Sequence, residues 1–372
     1  MNGKTLGRPW VQLAPKNPKA PDSKGTKGRH LDPPPFAGER NFTYAGRRLG
    51  SCRQPFAVNA KRSRQLPLAW TASWCGVNIG LAMTSLVSWV GIDNRKPASI
   101  YIASDSRISW EAGSVWDSGR KVFASRTRPE IFGYVGDVLF PSLVLGQIAD
   151  APESPAEEAS PEERFERISH LLQRTFHSLP GNQQRHFKIA YGVRVGTEMA
   201  AAFRLFSLSW DVSTGWHSCE EMLPSVSDSI VIWGSGAPTV STWKERWDRS
   251  SQGSTSRAIF SAFCDAIGSG KDKLSGGAPQ LVGLYRIGGA RTIGIIDDRR
   301  PYLFGLLADA ADHGDGSVEW RNRLFERCDF NGDRLPKAQK HHLPKGLGGA
   351  KAAAMAAQQA VAADDPAAGK SE

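Results

Sequence analysis

The sequence predicts an α+β domain, and three observations carry that expectation. Short runs rich in β-branched and aromatic residues come in pairs joined by turn residues, two stretches of helical apolar spacing, one with a clear helix-start signal, interrupt them, and a basic, proline-rich stretch precedes the first ordered run. Of the 372 residues 40% are hydrophobic, enough to bury one sizeable core. The pattern divides the chain into a leader (1–82), a folded domain (83–334) and a Lys-, Ala- and Gly-rich flexible tail (335–372).

Residues 1–82 are dense in Pro, Gly, Lys and Arg, and no helical or strand period persists, so disorder is expected there. A start codon placed too far upstream, a propeptide and an Arg-rich targeting leader are the three explanations weighed. The first is preferred because Met83 is followed at once by an ordered pattern. The formal charge of +10 also belongs to this stretch: it holds 14 of the 47 Lys and Arg but 3 of the 37 Asp and Glu, net +11, which leaves −1 for the rest. A nucleic-acid partner inferred from overall basicity would therefore describe the leader and not the folded domain.

The first strand is expected over 85–92, turning at 93–97 into a second at 99–104. A strand pair follows at 121–123 and 131–135, ending at Gly136-Asp137, then a short helix from Ser142 and an acidic linker over 151–160. Ser160-Pro161-Glu162-Glu163 combines an N-cap, a proline at the first helical position and a glutamate three residues after the cap. Phe165, Ile168, Leu171, Leu172 and Phe176 then repeat on one face, and Pro180-Gly181 stops the helix. Strands are predicted near 187–195, 201–209 and 229–233, and helices around Val240, Trp243 and Trp247 and over 254–267. Strands at 281–287, 291–296 and 301–306 and a short helix near 318–328 complete the domain.

No run reaches the ~18 apolar residues of a membrane span, and the N-terminus lacks the apolar core of a signal peptide, so a cytoplasmic protein is expected. The five cysteines are odd in number and show no CxxC spacing, which reads as reduced thiols. The eight histidines show no HxxxH or HExxH spacing, and there is no P-loop or dinucleotide fingerprint, so neither metal nor cofactor is expected.

Six pieces in order carry the chemistry: Thr84 after Met83, Ser104-Asp105-Ser106-Arg107, Lys121, Val135-Gly136-Asp137, Gly234-Ser235-Gly236, and Asp272 with Ser275-Gly276-Gly277. Singly, each has an ordinary structural reading: a β-forming threonine, a surface ion pair, a solvated lysine, turn glycines. Together, over about residues 84–306, they resemble the ordered signature of proteasome β subunits and their bacterial relatives, within the N-terminal-nucleophile hydrolases. The resemblance implies a four-layer αββα sandwich, a homo-oligomer, peptide or protein substrates, and an ATP-dependent unfoldase as a partner to consider.

A threonine hydroxyl needs a base within hydrogen-bond reach. A terminal Thr84 would supply one, since an α-amino group titrates near ~7.7–8.0. Lys121 would favour the alkoxide and the unprotonated amine, Asp105 would hold the lysine, and the Gly136 N–H would be an oxyanion donor, a group worth roughly 3–4 kcal/mol of barrier. The resemblance assigns Ser235, Asp272 and Ser275 to orienting the amine and the water, and places Ile108, Tyr134 and Val138 near an apolar specificity pocket. Where self-processing members of the family carry glycine before the threonine, this chain has Met83, which suits release by a methionine aminopeptidase. The expected function is a threonine peptidase active after removal of residues 1–83. The alternatives are an N-terminal-nucleophile amidase acting on small amides, and an inactive scaffold whose basic leader binds nucleic acid or a membrane surface.

Overall fold

The computed structural model describes residues 84–347, apart from 94–95, 111–112, 153–159 and 314–317. The expected leader, Met83 and the expected tail beyond 347 lie outside the described residues. In chain order the strands are β1 (Ser85–Asp93), β2 (Lys96–Ser104), β3 (Ile108–Ser109), β4 (Val115–Trp116), β5 (Val122–Ala124), β6 (Glu130–Gly136), β7 (Phe187–Val195) and β8 (Ala202–Asp211). They continue as β9 (Gly215–Glu221), β10 (Asp228–Gly234), β11 (Gln280–Tyr285), β12 (Arg291–Asp297), β13 (Arg300–Leu303), β14 (Leu306–Leu307), β15 (Glu319–Asn322) and β16 (Arg327–Cys328). The helices are α1 (Leu139–Asp150), α2 (Pro161–His177), α3 (Ala237–Asp248), α4 (Ser256–Gly268) and the single turn α5 (Ala310–His313).

The result is a mixed fold with two large sheets, mostly antiparallel, and few helices. One sheet runs β10-β1-β2-β11-β12-β13-β14, with β15 also on β12 and β16 on β15; the other runs β5-β6-β7-β8-β9. Strand alternation sorts β1 and β2 to two faces. Val87, Trp89, Tyr101 and Ala103 pack with Trp243 and Trp247 of α3 and Phe260 and Phe263 of α4. Leu86, Ile100 and Ile102 pack instead with Val122, Ile131, Val135, Ala190 and Leu205 of the second sheet. A third cluster joins Phe132, Phe187 and Phe206 of that sheet to Phe140 of α1 and Phe165, Leu172 and Phe176 of α2. No helix among the described residues is long and apolar enough to cross a membrane.

Local signals explain the starts of α1 and α2. At α2 the Ser160 side chain accepts from the Glu163 N–H and Glu163 accepts from the Ser160 N–H, the reciprocal box expected from the sequence. Helix α1 begins at Leu139, ahead of the predicted Ser142, because the Asp137 carboxylate accepts from the Phe140 N–H and Pro141 sits in the first turn, where its missing donor costs nothing.

The predicted helix at 318–328 is corrected: the segment forms β15 and β16. Trp320 is buried against Gly294, where a side chain would collide with the indole, and the parallel pairing of β15 with β12 overrides local propensity. Strand β9 was not foreseen; it is half exposed and polar, without clean alternation. Residues 335–347, assigned by sequence to the tail, are irregular but tied down: Leu335 N–H donates to Arg327 O, His341 N–H to Glu326 Oε1, and Leu347 packs on the α3–α4 cluster.

Candidate active site

Thr84 stands at the entrance of β1, between β10 and β2, and is fully buried with Asp105 and Lys121. Asp105 directly follows β2, and Lys121 directly precedes β5. The lysine therefore reaches from one sheet to the threonine of the other.

Its ammonium has three donors and three partners: Thr84 Oγ1 at 3.1 Å, Asp105 Oδ1 at 2.9 Å and the Arg107 carbonyl. Burial lowers the Lys121 pKa from its ordinary value, and the Asp105 charge and hydrogen bond oppose that shift. Asp105 is itself fixed by three N–H donors, from Ser85 (3.0 Å), Arg107 (3.1 Å) and Gly276 (2.9 Å). A buried pair satisfied on both sides keeps a defined geometry.

On the far side of Thr84 lies a hydroxyl and carboxylate group. Thr84 N is 3.4 Å from Ser235 Oγ; Ser235 and Ser275 both donate to Asp272 Oδ2, at 2.8 and 2.7 Å; and the Leu274 N–H holds Asp272 Oδ1 at 3.1 Å. Thr84, Asp105, Lys121, Ser235, Asp272 and Ser275, predicted from sequence, are thus brought into one connected network.

Gly136 ends β6 with φ +97°, and a Cβ there would meet the His186 carbonyl at 2.6 Å. The Tyr134 N–H donates toward β5, to Lys121 O at 3.2 Å, while the Asp137 N–H donates toward β7, to His186 O. Antiparallel alternation aims the Gly136 N–H to the Lys121 side of β6. Of the three residues expected at a pocket, Tyr134 is fully buried and gives its hydroxyl to Arg120 O at 3.1 Å. Ile108 pairs with Trp116 in the β3–β4 hairpin, and Val138 caps α1, half-buried against the α1–α2 cluster. None of these three side chains is hydrogen-bonded into the Thr84 network.

Sequence reasoning did not single out Ser85, Gln280 or Asp117. Gln280 is buried and accepts from the Lys121 N–H (3.1 Å) while donating to Asp105 O (3.1 Å) and Gly119 O (2.7 Å), so one amide joins three site segments. Asp117 takes the Arg107 guanidinium at 2.7 and 2.8 Å, and that hydrogen bond raises the arginine pKa against the effect of burial. The guanidinium in turn lies where a Gly276 side chain would be, 2.5 Å from an added Cβ. The glycines of Gly234-Ser235-Gly236 were the available signal for Ser85, whose hydroxyl occupies the place of a Gly236 side chain.

Among the described residues no group of His, Cys, Asp or Glu is arranged to hold a metal. A cavity of about 420 Å³, lined by Gly91, Ser99, Ser256, Arg257 and His341 among others, lies toward the opposite end of β1 from Thr84.

No family model matches the sequence, and no curated protein does. Solved structures that resemble the chain include the following two, both of low identity and low TM-score. One is Thiobacillus denitrificans BPH in complex with epoxomicin, 15% identical, covering 55% of this chain and 100% of that one, with a TM-score of 0.35. The other is Anbu (ancestral beta-subunit) from Yersinia bercovieri, 11% identical, covering 56% and 86%, with a TM-score of 0.38.

Proposed function

We propose that the chain is a threonine-type hydrolase that cleaves peptide bonds through an acyl-enzyme on Thr84, once residues 1–83 have been removed. The observation that carries this reading is the buried Lys121 ammonium held 3.1 Å from Thr84 Oγ1 by Asp105. A threonine placed only for strand propensity has no need of a buried cation on its hydroxyl, and burying that cation is costly.

With its amine released, Thr84 holds nucleophile and base in one residue. The Oγ attacks the substrate carbonyl carbon as its proton passes to the amine; the C–N bond then breaks, and that proton leaves with the amine product. Water adds to the ester, its proton taken by the Thr84 amine, and the acid leaves as Oγ is re-protonated. Lys121 favours the developing alkoxide, Ser235 with Asp272 and Ser275 orients the amine, and the Gly136 N–H is the oxyanion donor. Ile108, Tyr134 and Val138 lie near the pocket beside the scissile bond and favour an apolar residue there, Tyr134 from its buried place in the core. The helix–sheet–sheet–helix sequence of core clusters supports the four-layer αββα arrangement, and a homo-oligomer with peptide substrates belongs to the same reading.

Intact mass and N-terminal sequencing of the natively produced protein, followed by a peptide hydrolysis assay, test it. The expected chain begins at Thr84, is active, and is inactivated by Thr84→Ala without loss of fold. Turnover by a chain that still begins at Met1 would overturn the reading.

A further inference from the structure

Ser85 is buried, and its polar atoms serve two parts of the site, the backbone on the Asp105 side and the hydroxyl on the Ser275 side. Its N–H donates to Asp105 Oδ1 at 3.0 Å, the same oxygen that receives Lys121 Nζ at 2.9 Å. Its carbonyl accepts from the Asp105 N–H and the Ser104 hydroxyl, both at 3.1 Å. Its hydroxyl lies 2.8 Å from Ser275 Oγ.

Proton counting fixes the direction of that last bond. A carboxylate only accepts, so the 2.7 Å contact between Ser275 and Asp272 Oδ2 uses the one proton Ser275 has. Ser85 must then donate to Ser275. Ser235 likewise spends its proton on Asp272 Oδ2 and turns its oxygen to Thr84 N. The bonds run from Ser85 through Ser275 to Asp272, and from Thr84 N through Ser235 to the same oxygen. Room for this is made by Gly236: a Cβ there would sit 1.8 Å from Ser85 Oγ and 3.0 Å from Asp272 Oδ2.

We infer that Ser85 is a positioning residue that ties the Asp105–Lys121 side of the site to the Asp272 side across the nucleophile. The inference rests on the threonine-hydrolase reading and deepens it. Without the Ser85 hydroxyl, Ser275 loses its donor, the 272–277 loop loses its side-chain tie to β1, and Ser235 is less well held against the Thr84 amine. The charged groups around that amine are Asp105, Lys121 and Asp272, with the Arg107–Asp117 pair beyond them.

The test compares wild type, Ser85→Ala and Ser85→Thr as full-length chains, with the N-terminus of each isolated protein read by mass. Expected for Ser85→Ala is a fall in kcat of about tenfold, on the scale of one lost hydrogen bond, with little change in KM and a displaced acidic limb of the kcat profile. Ser85→Thr, which keeps a hydroxyl, should recover most of kcat. Hydrogen exchange supplies a readout that needs no turnover: the Leu274 and Gly276 amides, bonded to Asp272 and Asp105, should exchange faster in Ser85→Ala while the β1–β2 ladder is unchanged. Superposable pH profiles and exchange rates would overturn the inference. If wild type shows neither turnover nor an adduct on Thr84, the hydrolase reading fails on its own, and unchanged exchange at Leu274 and Gly276 would then overturn the coupling.

Discussion

The carbonyl oxygen of Thr84 lies 1.8 Å from where a Cβ on Gly234 would stand, and Gly234 holds a φ of +94°. This is the last residue of β10, paired with Ser85, so the strand that delivers Ser235 passes Thr84 at a separation that only glycine permits. Gly234→Ala should lose about 1–3 kcal/mol from backbone strain alone, with more from the displaced β1. Urea denaturation checks it; a wild-type midpoint would contradict the close approach.

Replacing Lys121 with Met keeps most of the side-chain volume and removes the cation. Asp105 would then be buried without its counter-charge, a loss of about 3–5 kcal/mol. Turnover should fall at least about a hundredfold, the scale of a lost transition-state electrostatic contact. Lys121→Arg should not rescue it, because a fully buried ammonium site offers no room for a larger planar fork. Thermal melts and a peptide assay on both variants separate the two effects.

Asp105→Asn makes a prediction about pH. Burial already lowers the Lys121 pKa, and Asp105 is the main influence raising it, so the asparagine variant lowers it further. In the window between that folded pKa and the ordinary lysine value of about 10.4, the unfolded chain keeps a proton that the folded chain has lost, so stability rises with pH. The free energy of unfolding of Asp105→Asn should therefore climb more steeply than wild type as pH rises from neutral toward 10. Parallel curves in denaturant titrations would refute this.

Ser160→Ala removes the side-chain half of the α2 box and should cost about 1 kcal/mol. Helix α2 packs in the cluster with α1, away from Thr84, so kcat and KM should not change. Loss of activity without loss of stability would show that α2 reaches the site.

The β1–β2 hairpin and α2 were legible because their signals are local: β-branched runs around a turn, and a cap, proline and glutamate within four residues. The six residues of the Thr84 network were legible as a group because they sit in short motifs whose order is itself information. Ser85 and Gln280 were not, since their roles appear only when segments far apart in sequence meet. Trp320 illustrates the converse failure: the pattern around it looks helical, but burial against Gly294 and pairing with β12 decide its conformation.

Ser85 and Ser275 are 190 positions apart, and Gln280 binds the chain at Asp105, Gly119 and Lys121. Contacts of such sequence separation close late and slowly during folding. The network around Thr84 is therefore completed only when most of the chain has been synthesised and both sheets have met. A partly folded copy carries Thr84 without its lysine, so under the proposed hydrolase reading chain topology acts as a timer on the site, beside the removal of residues 1–83.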